Sequence, residues 1–382
     1  MPTLFPLGRF ADLATPFYFY DLALLRRTLA TVGQIARRHD FAVHFAVKAN
    51  ANARILDEVR AAGLGVDCVS GNEVRAALEH GFEAGKIVYA GVGKADWEIE
   101  LALDAEIECF NVESIAEMEV ISSLACQRGK VANVALRVNP NVDAHTHQYI
   151  NTGIEESKFG IGLWELEEAV GRAQALPNVN LVGVHFHIGS QITDMGAFVA
   201  LCTRANEILR WFEQKRVRLS VVNVGGGLGV DYEHPDEVPM PDFEAYFSIF
   251  AHRLELREGQ RLHFELGRSL VAQCGTLVSR CLYVKKGQRK QFAIIDAGMN
   301  DLIRPALYHA YHKIQNLSGG GDVEKYDVVG PVCESSDCFG KEIPLAAVRR
   351  GDLLAIRSAG AYGEIMASHY NLRPFAPSYF SE

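Results

Sequence analysis

The feature that most constrains the fold of this chain is a regular alternation of short, strand-like segments with amphipathic helical segments. The strand-like segments are rich in β-branched and aromatic residues and are bounded by turn residues. There are eight of them, at residues 43–47, 66–69, 87–89, 107–110, 134–138, 181–187, 221–224 and 262–266. Repeated alternation of this kind predicts a parallel sheet. Eight repeats over roughly 230 residues predict one closed (β/α)8 barrel, the TIM barrel.

The pattern changes after Gly267, where strand-like runs are separated by glycine and proline. These runs lie at residues 276–285, 291–296, 326–329 and 353–357. A further strand-like run, residues 17–20, precedes the barrel, and we expect it to pair with the later strands, since N-terminal segments are ordered mainly when a sheet holds them. The predicted fold class is therefore α/β. It consists of a barrel at residues 24–266 and a β-rich, sandwich-like or barrel-like domain formed by residues 1–23 and 267–382.

Length and composition exclude several classes of protein. The chain has 382 residues, of which 48% are hydrophobic, and this is enough for two cores. It has no secretory leader pattern and no run of about 18 apolar residues, so we expect a cytoplasmic protein without membrane spans. The net charge of -9 disfavours nucleic acid as a partner.

The eight cysteines are scattered, with no CxxC pair and no regular spacing. This distribution argues against a disulfide framework and against a structural zinc site. We expect most of these thiols to be buried as small hydrophobic side chains.

Lys48 stands at the end of the first predicted barrel strand, and barrel enzymes carry their chemistry at strand ends. A lone lysine beside a strand is usually a surface charge. Its neighbours on the chain are apolar, however, and a lysine in such surroundings can form a Schiff base with an aldehyde such as pyridoxal phosphate. On position alone, both interpretations stay open.

His185 and His187 alternate on the sixth predicted strand, so both side chains are expected on one face. Such a pair could bind a metal, but a metal centre would need further imidazole or carboxylate ligands at other strand ends. Two of those ends carry Lys48 and a triple glycine instead. We therefore predict no metal at this position.

The seventh and eighth predicted strands end in groups that suit a phosphate. Gly225, Gly226 and Gly227 can bring backbone N–H groups close to a phosphate, although a glycine-rich turn is also an ordinary tight connection. The eighth strand supplies Glu265 and Arg268, which could simply form a salt bridge. The combination of lysine, histidine, glycines and acid at four strand ends favours a cofactor site.

Six motifs together resemble the fold type III pyridoxal-phosphate decarboxylases, and in particular the bacterial diaminopimelate decarboxylase family. The resemblance covers nearly the whole chain. The motifs are FAVKAN at 45–50, DCVSGNE at 67–73, HFHIGSQ at 185–191, DAGMND at 296–301 with RPALY at 304–308, CES at 333–335 and AGAYG at 359–363. One departure is Leu266, where the family usually has proline. We expect it to alter the stiffness of the loop and to leave the chemistry intact.

The resemblance implies a pyridoxal 5'-phosphate site in which Lys48 holds the cofactor covalently and His187 stacks on its ring. Glu265 would contact the pyridine nitrogen and keep it protonated, so that the ring can accept an electron pair. Asp67 would lie near the ring. The residues implied at the phosphate end are Ser190, Gly225, Gly226, Gly227, Gly267, Arg268 and Tyr362. Without the resemblance, Tyr362 would be interpreted as an ordinary buried tyrosine.

Cys333 is implied as the general acid that returns a proton after decarboxylation. Taken alone, an inert buried thiol would be the better interpretation, and Cys333 with Cys338 supplies too few ligands for a metal. In the family this segment reaches the active site of the other subunit. The resemblance therefore implies a homodimer with shared active sites.

Substrate recognition is implied for five residues, because arginine suits a carboxylate and glutamate suits an ammonium group. They are Arg268, Arg304, Tyr308, Glu334 and Tyr362. Outside the motif, Arg304 would be interpreted as part of a weak surface ion pair. The small-molecule substrate implied is meso-2,6-diaminopimelate, which is decarboxylated to L-lysine and carbon dioxide in the last step of lysine biosynthesis.

Two alternatives stay open at this stage. The first is a related decarboxylase that acts on carboxynorspermidine, ornithine or arginine. The second is a non-catalytic, pyridoxal-phosphate-binding regulator built on the same barrel, since one fold can carry different functions. A regulator would retain Lys48 and the glycines but would not need Cys333, Glu334 and Arg304 together.

Overall fold

The computed structural model describes residues 5–142 and 158–382 of the chain. The chain divides into two compact units. One comprises Arg26–Gly229 and Pro241–Leu270, and the other comprises Met1–Leu25, Val230–Met240 and Val271–Glu382. The first elements described are a short helix, α1 (Leu7–Ala11), and a strand, β1 (Phe17–Tyr20).

Eight parallel strands close into a barrel in the order β2 to β9, which confirms the predicted (β/α)8 architecture. The strands are β2 (Ala42–Ala46), β3 (Gly65–Cys68), β4 (Ile87–Tyr89), β5 (Cys109–Val112), β6 (Ala132–Arg137), β7 (Val179–His185), β8 (Val221–Asn223) and β9 (Arg261–Leu266). Several boundaries differ from the predicted ones by about two residues. Strand β5 begins at Cys109 rather than at residue 107, and β7 ends at His185 rather than at residue 187.

Helices alternate with these strands. They are α2 (Leu22–His39), α3 (Ala53–Ala61), α4 (Gly71–Glu79), α5 (Asp96–Ala105), α6 (Ile115–Gln127), α7 (Leu166–Ala175), α8 (Met195–Gln214), α9 (Phe243–Arg253) and the short α10 (Arg268–Val271). Helix α3 shows why the sequence pattern is informative, because Ile55, Leu56 and Val59 are all buried on one face.

Strand β9 separates the apolar core from the interior of the barrel. Phe264 packs edge-on against Phe247 and Phe250 of α9, with ring centroids 4.8 and 5.1 Å apart. Successive side chains on a strand point to opposite faces, so His263 and Glu265 point the other way, into the barrel. Both are buried. The aromatic packing therefore fixes which polar groups the barrel interior receives.

The second unit contains an antiparallel-rich sheet with the strand order β12-β15-β10-β11-β13-β14. Its later strands are β10 (Gly275–Lys286), β11 (Gln291–Ile295), β12 (Ile314–Asn316), β13 (Val323–Val329), β14 (Cys338–Ala346), β15 (Leu353–Ile356) and β16 (Ser378–Phe380). Strand β1 pairs antiparallel with β10, which confirms the expectation for residues 17–20. The same strand pairs in parallel with β16.

Parts of the second unit were not predicted. Strands β12 and β16 have only three residues each, too few to produce a periodic signal. Strand β14 carries Lys341, Glu342 and Pro344, residue types that are depleted in strands. The sequence after Gly267 also forms a five-residue helix, α11 (Arg304–Tyr308), where no helix was predicted.

All eight cysteines are free thiols, and five of them are buried, as expected. Cys333 is one of the two exposed cysteines, and this differs from the inert buried thiol that the residue type alone would suggest. Within residues 5–142 and 158–382, no helix combines the length and the hydrophobicity needed to span a bilayer.

Candidate active site

The carboxyl ends of the barrel strands bring together Lys48 and Asp67. Lys48 lies in a 3₁₀ turn, Val47–Ala49, immediately after β2, and its Nζ atom is 3.4 Å from Oδ2 of Asp67 on β3. Asp67 is completely buried, whereas 39% of the Lys48 side chain is exposed. Burial and the nearby Glu265 raise the pKa of Asp67 to about 6, although Lys48 acts in the opposite direction. The amine therefore lies at an opening above a buried acid.

Glu265 is a buried carboxylate with three side-chain hydrogen-bond partners. Its Oε1 accepts hydrogen bonds from the side-chain amides of Asn111 at 2.9 Å and Asn223 at 2.7 Å. Its Oε2 lies 2.9 Å from Nε2 of His185. All four side chains are buried. Three other strands of the barrel, β5, β7 and β8, thus converge on one acid of β9.

This environment favours the ionised form of Glu265. Burial alone would raise the pKa of Glu265, but His185 and Lys48 oppose burial and hold that pKa well below its usual range. Moving a carboxylate out of water costs several kcal/mol. Three hydrogen bonds to a charged group, each contributing roughly 1.5–3 kcal/mol, offset that cost. Because the acid is ionised, His185 donates its Nε2 proton to the carboxylate.

Two similar helix starts position the polar residues at the ends of β3 and β5. Ser70 caps α4 by accepting from the backbone N–H of Glu73, whose side chain accepts from the N–H of Val69. Ser114 and Glu117 repeat this arrangement at the start of α6. These paired contacts fix how the chain leaves each strand. Asp67 and Asn111, each three residues before a serine cap, are held in place as a result.

His187 and the triple glycine are in contact just beyond β7 and β8. The N–H of Gly226 donates to Nδ1 of His187 at 3.4 Å. A side chain on Gly226 would collide with the carbonyl oxygen of Glu265, and Gly225 and Gly227 have positive φ angles of 68° and 100°. Loss of hydration and the nearby Arg137 hold the pKa of His187 well below its usual range. The imidazole is therefore neutral.

Arg268 and Ser190 meet beside the triple glycine. The Nη2 atom of Arg268 donates to Oγ of Ser190 at 3.0 Å, and Arg268 is buried. A Cβ on Gly227 would lie 2.6 Å from the carbonyl oxygen of Gly189, so the glycine backbone lies against the turn that carries Ser190. Gly267, which joins β9 to α10, is also buried. A guanidinium, a hydroxyl and bare backbone therefore lie together in one region.

The remaining predicted residues belong to the β-rich unit. Arg304 at the start of α11 is buried, and its Nε and Nη2 atoms donate to Nε2 of His312 at 3.2 Å and to the hydroxyl of Tyr232 at 3.3 Å. Its guanidinium carbon is 5.9 Å from the ring centroid of Tyr308. Tyr362 is half-buried and has a positive φ of 56°. Arg304 is therefore a held, buried cation rather than half of a surface ion pair.

Cys333 and Glu334 are exposed on a turn that Asp337 organises. The carboxylate of Asp337 accepts from the backbone N–H groups of Val332 and Met299, each at 2.7 Å. The carboxylate of Glu334 accepts from the hydroxyl of Tyr370 at 2.6 Å. The turn thus presents a thiol and a carboxylate on a fixed backbone.

Sequence reasoning missed Asn111 and Asn223, and it assigned His185 only to a possible metal pair. The structure gives His185 and His187 different partners, Glu265 and Gly226, which is not the arrangement of a metal pair. A signal for Asn111 was present in the sequence. Residues 111–117, NVESIAE, repeat the spacing of residues 67–73, DCVSGNE, with a polar strand end followed by a serine cap and a glutamate.

The residues of the barrel fit pyridoxal phosphate. Oδ1 of Asp67 is buried and has no hydrogen-bond partner among the described residues, so it is available to a ring substituent. Glu265 offers an ionised carboxylate, which suits a protonated pyridine nitrogen. The region of Ser190, Arg268 and the bare glycine backbone suits a phosphate, which prefers such donors.

Comparison with known proteins gives the same picture. The family model for the pyridoxal binding domain of pyridoxal-dependent decarboxylases matches residues 23–272. A diaminopimelate decarboxylase from Bacteroides thetaiotaomicron is 57% identical, and the alignment covers 100% of this chain and 99% of that protein. The crystal structure of the Helicobacter pylori diaminopimelate decarboxylase complexed with L-lysine has a TM-score of 0.90 at 39% identity, covering 98% of this chain and 94% of that one.

More distant structures extend the comparison. The M. jannaschii diaminopimelate decarboxylase in complex with L-lysine has a TM-score of 0.91 at 35% identity, covering 98% of this chain and 89% of that one. The lysine/ornithine decarboxylase from Vibrio vulnificus is only 20% identical, so its TM-score of 0.85 shows a shared fold alone. Pyridoxal phosphate is the cofactor of the family whose model matches here. The chain belongs to the pyridoxal-dependent decarboxylases, and within them to the diaminopimelate decarboxylase family.

Proposed function

We propose that the protein decarboxylates meso-2,6-diaminopimelate to L-lysine and carbon dioxide, as a cytoplasmic homodimer. The observation that carries the chemistry is the ionised, buried carboxylate of Glu265 with its three hydrogen-bond donors. The choice of substrate is supported by relatives that are 41–57% identical over nearly the whole chain and carry that name. The related proteins solved with L-lysine bound hold the molecule that this reaction would release.

Glu265 controls the protonation of the ring nitrogen in this proposal. Pyridoxal phosphate, when bound, supplies a ring that takes up the electron pair left behind as carbon dioxide departs. An ionised carboxylate beside the ring nitrogen keeps a proton on that atom and so strengthens the ring as an electron acceptor. Asn111, Asn223 and His185 hold the carboxylate in one orientation. The three donors act by positioning Glu265.

Lys48 is the residue that we assign to covalent attachment. Its amine stands 3.4 Å from Asp67 and is partly exposed, so it can reach a ligand that enters at the strand ends. His187 is neutral and in contact with the glycine turn, which suits an imidazole that stacks on an aromatic ring. Ser190, Arg268 and Gly225 to Gly227 would hold the phosphate through hydroxyl, guanidinium and backbone N–H groups.

Cys333 is assigned as the general acid that returns a proton to the carbon that lost carbon dioxide. We propose that Cys333 and Glu334 serve the active site of the partner subunit, as the family resemblance implies. The exposure of both residues on an organised turn supports this, because a residue that serves another subunit must be accessible on its own. The free state of all eight cysteines supports a reducing, cytoplasmic location.

Arg304 is assigned to the carboxylate at the far end of the substrate. It is buried and already oriented by His312 and Tyr232, so little conformational freedom is lost when it binds an anion. Tyr308, Tyr362, Arg268 and Glu334 complete the set assigned to substrate binding. Ornithine, lysine, arginine and carboxynorspermidine have no second carboxylate at the far end. Decarboxylation of these amino acids is therefore less favoured as the function. A non-catalytic regulator would have no use for the Glu265 network.

Replacing Glu265 with glutamine should separate binding from chemistry. Glu265→Gln is expected to retain pyridoxal phosphate but to release carbon dioxide about 10²-fold more slowly, on the order of 3 kcal/mol, because a neutral amide does not hold the ring nitrogen protonated. Cofactor content is measured by absorbance and turnover by carbon dioxide release. Glu58→Gln is the control, since that carboxylate on helix α3 is paired with Arg26, whose side chain is about half exposed. Normal turnover in Glu265→Gln would assign control of the ring nitrogen to another group.

A panel of amino acids tests the substrate. Of meso-diaminopimelate, L-ornithine, L-lysine, L-arginine and carboxynorspermidine, only the first should release carbon dioxide well. A buried guanidinium without its carboxylate disfavours the others by several kcal/mol. In Arg304→Ala, the difference in rate between meso-diaminopimelate and the other amino acids should become smaller. Arg350→Ala is the control and should leave that difference unchanged, because this arginine binds the carbonyl of Leu282. A wild-type preference for ornithine or carboxynorspermidine would contradict the proposed substrate.

Mixed dimers test whether the active site is shared. Lys48→Ala and Cys333→Ala should each be nearly inactive, and mixing them should restore about a quarter of wild-type activity, since half of the dimers are hybrids with one intact site of two. In the control, Lys48→Ala is mixed with the double variant Lys48→Ala/Cys333→Ala. No activity should be restored, because neither chain supplies Lys48. If exchange occurs and activity stays at the parental level, both residues act within one chain.

A further inference from the structure

The amino-terminal end of the barrel contains a second cluster of polar side chains, in which two histidines are buried and a glutamate is half-buried. His44 of β2 and His263 of β9 have ring centroids 5.2 Å apart, and Glu108 lies just before β5. Nε2 of His44 is 3.0 Å from Oε2 of Glu108, and Nδ1 of His263 is 3.8 Å from Oε1. One candidate donor atom from each of the three residues lies within 4.8 Å of the others. Each carboxylate oxygen therefore faces one imidazole.

His263 faces Glu108 with a ring nitrogen that forms no hydrogen bond among the described residues. It is 2% exposed, and its Nδ1 atom has no hydrogen-bond partner among the described residues. The 3.8 Å separation from Glu108 is too long for a hydrogen bond. Buried polar atoms are normally paired, so an unpaired nitrogen aimed at a carboxylate and a second imidazole needs a reason. A bound cation would supply one.

The backbone is shaped to admit the His44 ring. Gly65 at the start of β3 lies against it, and a Cβ at that position would be 2.5 Å from Cδ2 of His44 and 2.5 Å from the carbonyl oxygen of Lys86. Any residue other than glycine would therefore displace the imidazole. Gly65 thus leaves room for the His44 ring in the position from which it reaches Glu108.

A cavity of about 380 Å³ opens beside the cluster, and both His44 and Glu108 line it. This volume is ample for water molecules to reach the donor atoms. Three cations, Arg37, Lys86 and Arg261, also line the cavity, and two of them have an acidic partner. Lys86 is paired with Glu83 at 2.9 Å and Arg261 with Asp40 at 3.4 Å.

The residue types suit metal ligation, because a neutral imidazole and an ionised carboxylate are the forms in which histidine and glutamate bind metals.

We propose that His44, Glu108 and His263 form a site for a divalent transition metal, Zn²⁺ by preference, at the amino-terminal end of the barrel. Two nitrogens and one carboxylate oxygen form a common zinc donor set, and the cavity leaves a fourth position for water. Donor atoms around tetrahedral zinc are about 3.3 Å apart. One donor atom from each of the three residues lies within 4.8 Å of the others, so small side-chain shifts would bring them to this spacing. A neutral His44 that binds zinc through Nε2 would carry its proton on Nδ1.

The site is expected to stabilise the barrel rather than to take part in decarboxylation. Chemistry in such barrels lies at the carboxyl ends of the strands, and the opposite end contributes stability. A metal here would tie β2 and β9, which pair with each other, to the start of β5. The inference is independent of the proposed substrate and of the roles assigned to Lys48 and Glu265.

Zinc binding to the pyridoxal-phosphate-loaded protein tests the proposal. The protein is treated with a chelator, dialysed and titrated with ZnCl₂ by calorimetry, and its metal content and melting temperature are measured. Wild type should bind one Zn²⁺ per chain and melt at a higher temperature with zinc. Loss of a residue that only supports a metal ligand typically lowers metal affinity roughly 10- to 100-fold. In His263→Gln, the affinity for Zn²⁺ should fall by more than this, because a ligand itself is lost. His80→Gln should match wild type, because the His80 imidazole lies outside the cluster and is paired with Asp57.

Two results would overturn the proposed zinc site. One is the absence of zinc binding to the wild-type protein, and the other is an equal affinity for zinc in wild type and His263→Gln. Glu108→Gln provides a second variant should His263→Gln not fold. X-ray absorption of zinc-loaded wild type, which needs no variant, should show nitrogen and oxygen ligands with two imidazoles. Sulfur in the first shell would place the metal on a cysteine and contradict the proposal.

Discussion

The ionised carboxylate of Glu265, buried inside the barrel, is the constraint on which the site depends. An uncompensated charge there would cost several kcal/mol, so the surrounding strands must each supply a donor. Asn111 of β5, His185 of β7 and Asn223 of β8 do so, and this requires the barrel to close with those strand ends at one level. Burial and the same negative charge raise the pKa of Asp67, which lies beside Lys48. The polar interior of the barrel and the proposed cofactor site therefore rest on one network.

The fold was largely predictable because its signal is periodic. Eight strand-like segments separated by helical patterns specify a closed parallel barrel almost without alternatives. The β-rich unit was predicted only in outline. Three-residue strands such as Ile314–Asn316 carry no period, and the Lys341–Pro344 part of β14 lacks the usual strand composition. Their positions follow from pairing with β15 and β13, which is information from distant parts of the chain.

The candidate site was predictable only where motifs mark it. Lys48, Glu265 and the triple glycine lie at predicted strand ends, and their types suggest a chemistry. Asn223 does not stand out in this way, since an asparagine at a strand end is usually interpreted as a turn residue. Asn111 is marked only by the spacing that residues 111–117 share with residues 67–73. Their role depends on the barrel closing so that both amides face one carboxylate. The His44 cluster was missed for the same reason, because residues 44, 108 and 263 meet only in three dimensions.

The central claim is that the barrel end formed by Lys48, Asp67 and Glu265 holds pyridoxal phosphate, and borohydride reduction tests it most directly. Reduction converts a lysine Schiff base into a stable amine, so the modified residue can be identified by peptide mass mapping. The protein should be yellow and should carry the label on Lys48, and Lys48→Ala should carry no covalent label. A label on any other lysine, or an undiminished label in Lys48→Ala, would contradict this claim.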